Sequence, residues 1–509
     1  MRILLLVFLS FAFRWPVLSR AASLHSDAAI VGLQTRHMMQ GEWAPFLHGS
    51  GYQSSTDAVL AIPWFALFGA EPWVLLAATL ALHALYTLCI DAILRHVGLA
   101  PWRAFALCLA LVFTPPPIHT YALYPPRQAA ITLAGLAMLA AVRAVGPRMA
   151  ALACAAAGAA VYADPYAQVF LPGVAILLLA KRSVHTTRTW GAIVAGSFAG
   201  AALPYWLRHR SDASIGQMAF GFEPWRTERA WHILRNDAAA WITSARAYVP
   251  GVFEGHHPWH APPWFHGVQL VGATTLVLGA MSAGVLVFRA SIRWEGRLAG
   301  LAGLCVWGLT LGAFFVSVMV MDLYSTRYLA ALVLTAPLAL APLASLLPSS
   351  RASLTAASAW CTYLCAAGVS GWLGFAPLTD GWRVTDHASG TGVGEAQLLA
   401  ACKEHGVQAV MTDYWAAYRL AFLWHEEVVA MPPTAHEDRY PPYRAEYMRS
   451  AHVAYVHDAA RSRETLAVAE ALARAQGRVM AHEQVGAFTV WWVEKAAGEP
   501  PFEPAWPPP

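Results

Sequence analysis

Asp27 is the residue whose position in this sequence most directly suggests chemistry. It follows the first apolar run, residues 3–13, and stands near the start of residues 24–41, a stretch whose pattern predicts an amphipathic helix lying along the membrane surface. A carboxylate just outside a membrane span is placed to meet a lipid-linked substrate. There it could act as a general base and take a proton from a hydroxyl or an amine. Alternatively, Ser26 or Asp27 only caps the helix by accepting a hydrogen bond from a free backbone N–H.

The elements that must position Asp27 are those of a membrane protein. The chain has 509 residues and a mass of 55.0 kDa, with 57% hydrophobic residues and a mean hydropathy of +0.44. Charged residues make up 13%, about half of the roughly 25% typical of soluble domains. This composition excludes a soluble enzyme, a disordered chain and a fibrous repeat, because most of the chain must lie in lipid. The sequence has no basic cluster or stripe that would indicate a nucleic-acid partner.

Apolar runs predict about eleven transmembrane helices, since roughly 20 apolar residues cross a bilayer as a helix. The runs begin near residues 3, 72, 101, 128, 148, 166, 189, 267, 298, 328 and 353. The first run has the shape of a signal peptide, but no clear small-x-small cleavage site follows it. Arg14 stands directly after the run. We therefore expect an uncleaved first helix.

The distribution of basic residues predicts which loops lie outside. With a cytoplasmic N-terminus, the short outer loops contain only Arg127 and Arg327. The short inner loops contain Arg95, Arg103, Arg143, Arg148, Lys181, Arg182, Arg188, Arg289, Arg293, Arg297 and Arg351. Because basic residues concentrate in cytoplasmic loops, two long loops at about 20–70 and 207–265 are expected outside, together with the C-terminal part of the chain.

A change of composition near residue 375 predicts a domain boundary. Up to that point the chain has 23 Lys and Arg against 13 Asp and Glu, and beyond it 11 against 17. Residues 1–375 therefore form the membrane module. Alternating helix and strand patterns predict a small exported α/β domain over 376–498, followed by a Pro-rich tail over 499–509. The domain carries no Gly-rich phosphate loop, nucleophile elbow or metal-ligand spacing.

Several motifs resemble the GT-C superfamily of glycosyltransferases, and in particular bacterial relatives of the protein-mannosyltransferase and aminoarabinose-transferase families. In the first outer loop, Asp27 with its helix is followed by Gly49-Ser-Gly-Tyr-Gln and by Ala61-Ile-Pro-Trp-Phe-Ala-Leu-Phe-Gly. Later, Thr326-Arg-Tyr-Leu is similar to the entry into a late span of such proteins. The stretches at 409–423 and 439–443 resemble the tail domain of uncharacterised bacterial members.

The resemblance implies roles for individual residues. In this superfamily an acidic residue at the head of the first outer loop is the catalytic position, which here is Asp27. Many relatives carry Asp-Glu where this chain has Asp27-Ala28, so any metal or proton-relay role of the second acid is lost. The motifs also supply candidate substrate-binding residues, namely Arg14, Tyr52, Gln53 and Tyr328.

Three further polar residues on the predicted outer side are substrate-binding candidates. Asp164, in Tyr162-Ala-Asp-Pro-Tyr, could hold a sugar hydroxyl or bind a cation together with Asp27, or it could simply form the turn between two helices. Arg127 and Arg327 could each bind a lipid phosphate, since a guanidinium matches phosphate in a bidentate fashion, and Arg14 is a third candidate for this role. Alternatively they snorkel to headgroups, or Arg327 pairs with Asp322.

Two aromatic or histidine-rich groups have simpler explanations. The segment His256-His-Pro-Trp-His with His266 could bind zinc, but an aromatic belt at the membrane interface explains it equally well. The second long loop, with an amphipathic helix over 230–249, is expected to form a lid over the substrate cavity.

In the C-terminal domain a group of aromatic residues could stack on sugar rings, although core packing is favoured. The group comprises Tyr414, Trp415, Tyr418, Tyr440 and Tyr443.

The sequence therefore predicts a polytopic α-helical membrane protein of about eleven transmembrane helices, GT-C-like, with a small C-terminal α/β domain. The resemblance implies a glycosyltransferase of the bacterial cytoplasmic membrane. It would move a sugar from a polyprenyl-phosphate donor to an unidentified acceptor on the periplasmic side, inverting the anomeric centre, among membrane lipids and without nucleic acid. A divalent metal could participate; no other cofactor is expected.

Two other classes of function stay open on the sequence alone. A transporter or flippase of a lipid-linked substrate would need a polar path, yet the spans hold few ionisable groups beyond Arg14, His83 and Asp91. A non-catalytic membrane scaffold is compatible with the missing acid at Ala28.

Overall fold

The computed structural model is mostly helical and ends in one small sheet. It describes residues 1–115, 118, 121–181, 185–202, 206, 224–236, 263–317, 320, 323–346, 351–373, 392–458 and 465–502. The predicted domain boundary near residue 375, the segment 256–262 and Asp322 lie outside these ranges.

Helices of the membrane module begin close to the predicted starts, because uninterrupted apolar sequence satisfies its backbone hydrogen bonds within a helix. They are α1 (Arg2–Leu18), α2 (Ser26–Met39), α3 (Thr56–Phe68), α4 (Pro72–His96), α5 (Pro101–Cys108), α6 (Gln128–Val142), α7 (Pro147–Ala163), α8 (Leu171–Leu179), α9 (Thr187–Ser197), α10 (Pro224–Asn236), α11 (Pro263–Val287), α12 (Trp294–Val316), α13 (Ala330–Leu334), α14 (Ala336–Ala339), α15 (Ala341–Leu346) and α16 (Arg351–Leu373). Short 3₁₀ helices include Pro165–Phe170 before α8 and Leu323–Leu329 before α13.

Three of the described helices are long and apolar enough to cross a membrane by themselves: Pro72–His96, Leu270–Val287 and Trp294–Val316. Shorter apolar helices accompany them, among them Gln128–Val142 and Pro147–Ala163. The span predicted near residue 328 is divided into α13, α14 and α15. Pro337 and Pro342 lie in that segment, and each lacks the N–H that would continue the helical ladder. This set of helices is that of a multi-pass membrane protein.

The C-terminal domain is a five-stranded mixed sheet with helices. Its strands are β1 (Ala409–Thr412), β2 (Val429–Met431), β3 (His452–Asp458), β4 (Arg478–Val485) and β5 (Phe488–Glu494), and its helices are α17 (Val393–Glu404), α18 (Tyr414–Leu423), α19 (Pro441–Arg449) and α20 (Leu466–Gln476). The strand order is β2-β1-β3-β5-β4, with β1 parallel to both neighbours and β5 antiparallel to both of its own. The sequence pattern predicts strands over 407–412, 428–431, 452–457 and 486–493, which agree with β1, β2, β3 and β5. It does not predict β4, whose residues are mostly exposed and therefore lack an apolar signal.

The buried apolar residues form two cores. One lies among the membrane helices, and the other joins the first outer loop to the C-terminal domain. Helix α2 is central to the second core, with twelve of its fourteen residues buried. The prediction that residues 24–41 lie along the membrane surface is therefore wrong, because α18 and α3 cover the helix instead.

Two hydrogen bonds join basic residues that are predicted to be cytoplasmic to the ends of distant helices. Lys181 donates a hydrogen bond to the carbonyl of Val142, and Arg103 donates one to the carbonyl of Ala344 at 3.0 Å. The predicted outer-loop residues Arg127 and Arg327 meet elsewhere, with both guanidinium groups stacked over the Tyr328 ring.

Candidate functional site

Asp27 lies in the first turn of α2 and does not cap that helix. The N-cap is His25, whose Nδ1 accepts a hydrogen bond from the backbone N–H of Ala28 at 3.2 Å. The Asp27 side chain instead faces a cavity, with 38% of its surface exposed. Its Oδ1 accepts a hydrogen bond from the hydroxyl of Tyr414 and lies 3.9 Å from Nη2 of Arg439. Within the described ranges, no residue donates a hydrogen bond to its Oδ2.

The cavity beside Asp27 has a volume of about 220 Å³ and is lined by polar and apolar surface in about equal parts. Its polar and aromatic wall is formed by His25, Asp27, His48, Tyr52, Gln53, Tyr121, Arg127, Arg327, Tyr328, Trp415 and Arg439. These residues come from the first outer loop, the loop before α6, the 3₁₀ helix before α13 and the C-terminal domain. The structure thus gathers Asp27, Tyr52, Gln53, Arg127, Arg327 and Tyr328 of the predicted site around one space.

Arg127 and Asp164 form a buried ion pair at the edge of this cavity. The Arg127 Nε donates to Oδ2 of Asp164 at 3.0 Å, and Nη1 donates to the Tyr121 hydroxyl at 2.9 Å. Gln53 Nε2 donates to the same carboxylate oxygen at 2.8 Å, while Oδ1 caps the following 3₁₀ helix by accepting from the N–H of Tyr166. Asp164 therefore both forms the turn and fixes the cavity wall.

The backbone at Arg127 is held in an unusual conformation. Its φ is +119°, which is rare for a residue with a Cβ. Asp57, at the start of α3, accepts hydrogen bonds from the backbone N–H groups of Arg127 and Ala129 at 3.2 and 3.1 Å. These bonds satisfy N–H groups at the start of α6 and aim the Arg127 side chain along the cavity edge.

Arg327 also lines the cavity, half-buried, with its guanidinium 5.1 Å from the centre of the Tyr328 ring. Its Nη2 donates to the Tyr328 hydroxyl at 3.3 Å. Because the Arg127 guanidinium lies 5.6 Å from the same ring, Tyr328 separates two positive charges at one side of the cavity.

A second, apolar groove of about 380 Å³ adjoins the polar cavity. Tyr52, Arg127 and Tyr328 line both spaces. The groove then runs along α12, where its wall is formed by Leu309, Ala313, Phe314 and Val316, with Val169 opposite. A molecule with a charged head and an apolar chain could occupy the two spaces together.

Arg14 lies apart from both spaces in the described structure. It is fully buried in α1, where its guanidinium donates to the Thr114 hydroxyl at 3.0 Å and to the carbonyls of Leu111 and Ser10 at 3.3 and 3.2 Å. The structure gives this side chain a role in joining α1 to the segment after α5.

The charges around Asp27 keep it a carboxylate. Burial alone would raise its pKa, but the charges of Arg439 and His25, the Tyr414 hydrogen bond and the charge of Arg327 together lower it below the ordinary value of 3.8. The residue is therefore ionised at neutral pH and can accept a proton.

His48 is a neutral group in the same cavity. Burial and the charge of His37 lower its pKa to about 4, against smaller opposing effects of Glu42 and Glu426. At neutral pH its imidazole can therefore exchange hydrogen bonds with a ligand without adding positive charge.

The donor set does not favour a metal between Asp27 and Asp164. Both oxygens of Asp164 already accept hydrogen bonds, one of them from a guanidinium. Within the described ranges, no group of three or more His, Cys, Asp or Glu residues could hold a metal ion. We therefore assign no chemical step to a metal.

Sequence reasoning did not link the C-terminal domain to Asp27. The sequence favours core packing for Tyr414, and Arg439 is distinguished only by lying in a stretch that resembles the family. Both line or contact the cavity, as does Trp415. The one available signal was that the resemblance extends to the stretches containing these residues.

Comparisons with known proteins find likeness in structure. No protein-family model and no curated protein matches the chain. The structure is similar to crystal structures of ArnT from Cupriavidus metallidurans, in the apo state (13% identity, 94% of this chain and 96% of that chain, TM-score 0.43) and bound to undecaprenyl phosphate (14% identity, 98% and 99%, TM-score 0.43). It is also similar to a cryo-EM structure of the arabinofuranosyltransferase AftD from Mycobacteria (14% identity, 96% of this chain and 42% of that chain, TM-score 0.47). ArnT and AftD are GT-C glycosyltransferases, the superfamily that the motifs of this chain resemble.

Proposed function

We propose that this protein is a membrane glycosyltransferase that transfers a sugar from a polyprenyl-phosphate donor to an acceptor, with inversion at the anomeric carbon. The observation that carries the proposal is the junction of two spaces: a polar cavity containing the Asp27 carboxylate and an apolar groove that shares Tyr52, Arg127 and Tyr328 with it. A lipid-linked sugar has the matching division between a polar head and a long hydrocarbon chain.

The orientation of the donor follows from the charges. The phosphate would lie near Arg327 and Arg127, whose guanidinium groups flank Tyr328 at the junction. The prenyl chain would then extend along α12 in the apolar groove. The sugar would enter the polar cavity, where Gln53, His48 and Trp415 offer hydrogen bonds and an aromatic face.

The reaction is a single displacement. Asp27 takes the proton from the acceptor hydroxyl or amine as its oxygen or nitrogen forms a bond to the anomeric carbon. The bond between that carbon and the phosphate oxygen breaks, and its electron pair leaves with the polyprenyl phosphate. Attack from the face opposite the leaving group inverts the configuration.

Arg327 would stabilise the charge that develops on the departing phosphate, because a fixed cation in a poorly solvated site needs little reorganisation during the reaction. Arg127 would contribute a weaker field, since Asp164 already compensates part of its charge. The structural neighbour ArnT has been solved with undecaprenyl phosphate, a lipid of the class proposed here as the carrier.

We propose further that the site faces the periplasm of a bacterial cytoplasmic membrane and that the C-terminal domain is exported with it. The concentration of basic residues in the short loops at the other end supports this sidedness. A polyprenyl-linked donor suits that location because it requires no soluble nucleotide sugar.

Transfer from labelled donors tests the proposal. Purified protein in detergent or liposomes is supplied with radiolabelled polyprenyl-phosphate sugars and a membrane extract as the acceptor. We expect wild type to release polyprenyl phosphate and label an acceptor. Asp27→Asn should lower turnover by about 10²- to 10⁴-fold, the usual contribution of a general base.

Glu42→Gln is the matched control. Glu42 is an acid of the same outer loop that accepts a hydrogen bond from Tyr440 at 2.9 Å and does not line the cavity, so the variant should retain transfer. Equal turnover of Asp27→Asn and wild type would remove Asp27 from the mechanism. Movement of intact donor across the bilayer without transfer would favour a transporter, and neither activity would favour a scaffold.

A further inference from the structure

We infer that the C-terminal domain completes the catalytic site, and that its Tyr414 and Arg439 are positioning residues that aim the Asp27 carboxylate into the cavity. This inference rests on the proposed function, because it assigns Asp27 the role of the base. It gives the C-terminal domain a task in the reaction that the sequence of the domain alone does not indicate.

Tyr414 is attached to the head of α2 at two points. Its hydroxyl donates to Oδ1 of Asp27, and its backbone carbonyl accepts a hydrogen bond from the Ser26 hydroxyl at 2.5 Å. The side chain of Tyr414 is almost fully buried, so its hydroxyl has little freedom to turn to another partner. Because Tyr414 holds Oδ1 in this way, Oδ2 is the carboxylate oxygen that remains for the acceptor.

Arg439 supports the same arrangement from the other side. Its Nε donates to the Tyr414 hydroxyl at 3.2 Å, its Nη1 donates to the carbonyl of Gly49 at 2.7 Å, and its Nη2 lies 3.9 Å from Asp27 Oδ1. The guanidinium therefore orients the Tyr414 hydroxyl so that its proton points at Asp27. It also places a positive charge beside the carboxylate.

Two glycines allow the C-terminal domain to approach the first outer loop closely. A Cβ at Gly49 would lie 2.5 Å from Cα of Arg439, and a Cβ at Gly32 would lie 2.6 Å from the ring of Phe422. The Phe422 ring in turn stacks on Phe65, with centroids 6.2 Å apart, and lies under the Arg36 guanidinium. The domain thus packs against the first outer loop at two points that require a glycine.

If Tyr414 and Arg439 only joined the domain to the outer loop, their contacts would be the same, but the pKa of Asp27 would not depend on them. The charged groups that face Asp27 are Arg439, His25 and Arg327, and Tyr414 adds the hydrogen bond. Loss of the Tyr414 hydroxyl or of the Arg439 charge should raise the pKa of Asp27, because both favour its ionised form. Loss of a tether that only joins the two parts of the chain should not.

Tyr440 provides a matched control. Its hydroxyl donates to Glu42 at 2.9 Å and so joins the same domain to the same outer loop, without contacting Asp27. Tyr414→Phe and Tyr440→Phe therefore remove one interface hydroxyl each from the full-length protein. Arg439→Gln and Arg439→Lys test whether the positive charge is required at that position.

The test combines kinetics with a direct titration. We expect Tyr414→Phe to lower kcat about tenfold with little change in the KM for the donor, and to move the acid limb of the rate profile upward by about one pH unit. The direction follows because Asp27 acts as a base only when ionised, so activity is lost as pH falls through its pKa, and that pKa rises in the variant. Arg439→Gln should act in the same direction, Arg439→Lys should restore much of the rate, and Tyr440→Phe should leave rate and profile unchanged.

The titration is independent of any transfer activity. Protein with ¹³C-labelled aspartate carboxyls is titrated by NMR, and the Asp27 resonance is identified by its loss in Asp27→Asn. A higher Asp27 pKa in Tyr414→Phe than in Tyr440→Phe and wild type supports the inference, even if no donor is transferred and the proposed function fails. Identical Asp27 pKa values in all three proteins, or equal loss of rate in Tyr414→Phe and Tyr440→Phe, would overturn it.

Discussion

Three arginines that the sequence offers as phosphate ligands have very different surroundings. Arg14 bonds to backbone carbonyls and a threonine inside the helical core, and Arg127 is paired with Asp164. Arg327 lines the cavity beside Tyr328, and its charge helps to lower the pKa of Asp27. The position of each guanidinium in the fold, rather than its residue type, therefore determines whether it can reach a leaving phosphate.

We predict that Arg327→Gln lowers kcat by roughly 10²-fold, the usual effect of removing one group that stabilises developing charge. Arg327→Lys should retain part of the rate, because it keeps the charge but loses the bidentate geometry. Single-turnover transfer from labelled donor measures this effect apart from donor binding. Unchanged single-turnover rates in Arg327→Gln would show that the phosphate departs elsewhere.

Among the elements, the first outer loop owes its shape to the C-terminal domain that covers it. Gly41 and Gly49 lie in this loop, and both have positive φ, at +100° and +61°. Only the position of Gly49 is also crowded, since a Cβ there would meet the Arg439 backbone, whereas nothing lies within 4 Å of a Cβ at Gly41. The pair therefore separates backbone strain from the cost of displacing the domain.

We predict that Gly41→Ala costs roughly 1 kcal/mol of unfolding free energy from its left-handed conformation alone. Gly49→Ala should cost a further 1–3 kcal/mol, about the cost of overpacking a close contact. It should also lower the transfer rate, because Arg439 must move away from Tyr414. Denaturant unfolding and transfer assays on the two variants measure both effects. Equal stability and activity of the pair would contradict the close packing at Gly49.

Across the whole molecule, the groups proposed for catalysis line one cavity, and Arg103, which the charge pattern predicts to be cytoplasmic, is not among its lining residues. The C-terminal domain packs with the catalytic end through the second core. The cavity and the domain should therefore be reached from the same side of the membrane.

Cysteine labelling tests this sidedness. In a variant lacking the seven native cysteines, we expect an impermeant maleimide added to intact spheroplasts to label Glu470→Cys but not Arg293→Cys. Both positions are exposed in the structure, with side chains 46% and 72% accessible. After permeabilisation both should react, which controls for accessibility. Labelling of Arg293→Cys in intact cells would reverse the proposed orientation.

Local patterns were sufficient to predict where most apolar helices begin and most of the strands. The starts of α4, α5 and α6 agree with the predicted apolar runs, because the length and polarity of a run are properties of consecutive residues. The candidate status of Asp27 also came from the sequence, through its position after the first span and the motifs around it. The strand β4 was missed because its exposed residues carry no apolar alternation.

The tertiary structure decided which of these residues meet. Asp27 and Tyr414 are 387 positions apart, and no periodicity or charge count relates two residues at that separation. The sequence by itself determined a helical membrane module with a small α/β domain, since burial of apolar surface and backbone hydrogen bonding are encoded segment by segment. Only the folded chain brought Tyr414 and Arg439 to the carboxylate, placed Arg14 in the helical core, and joined a polar cavity to an apolar groove, because these depend on how whole elements pack against one another.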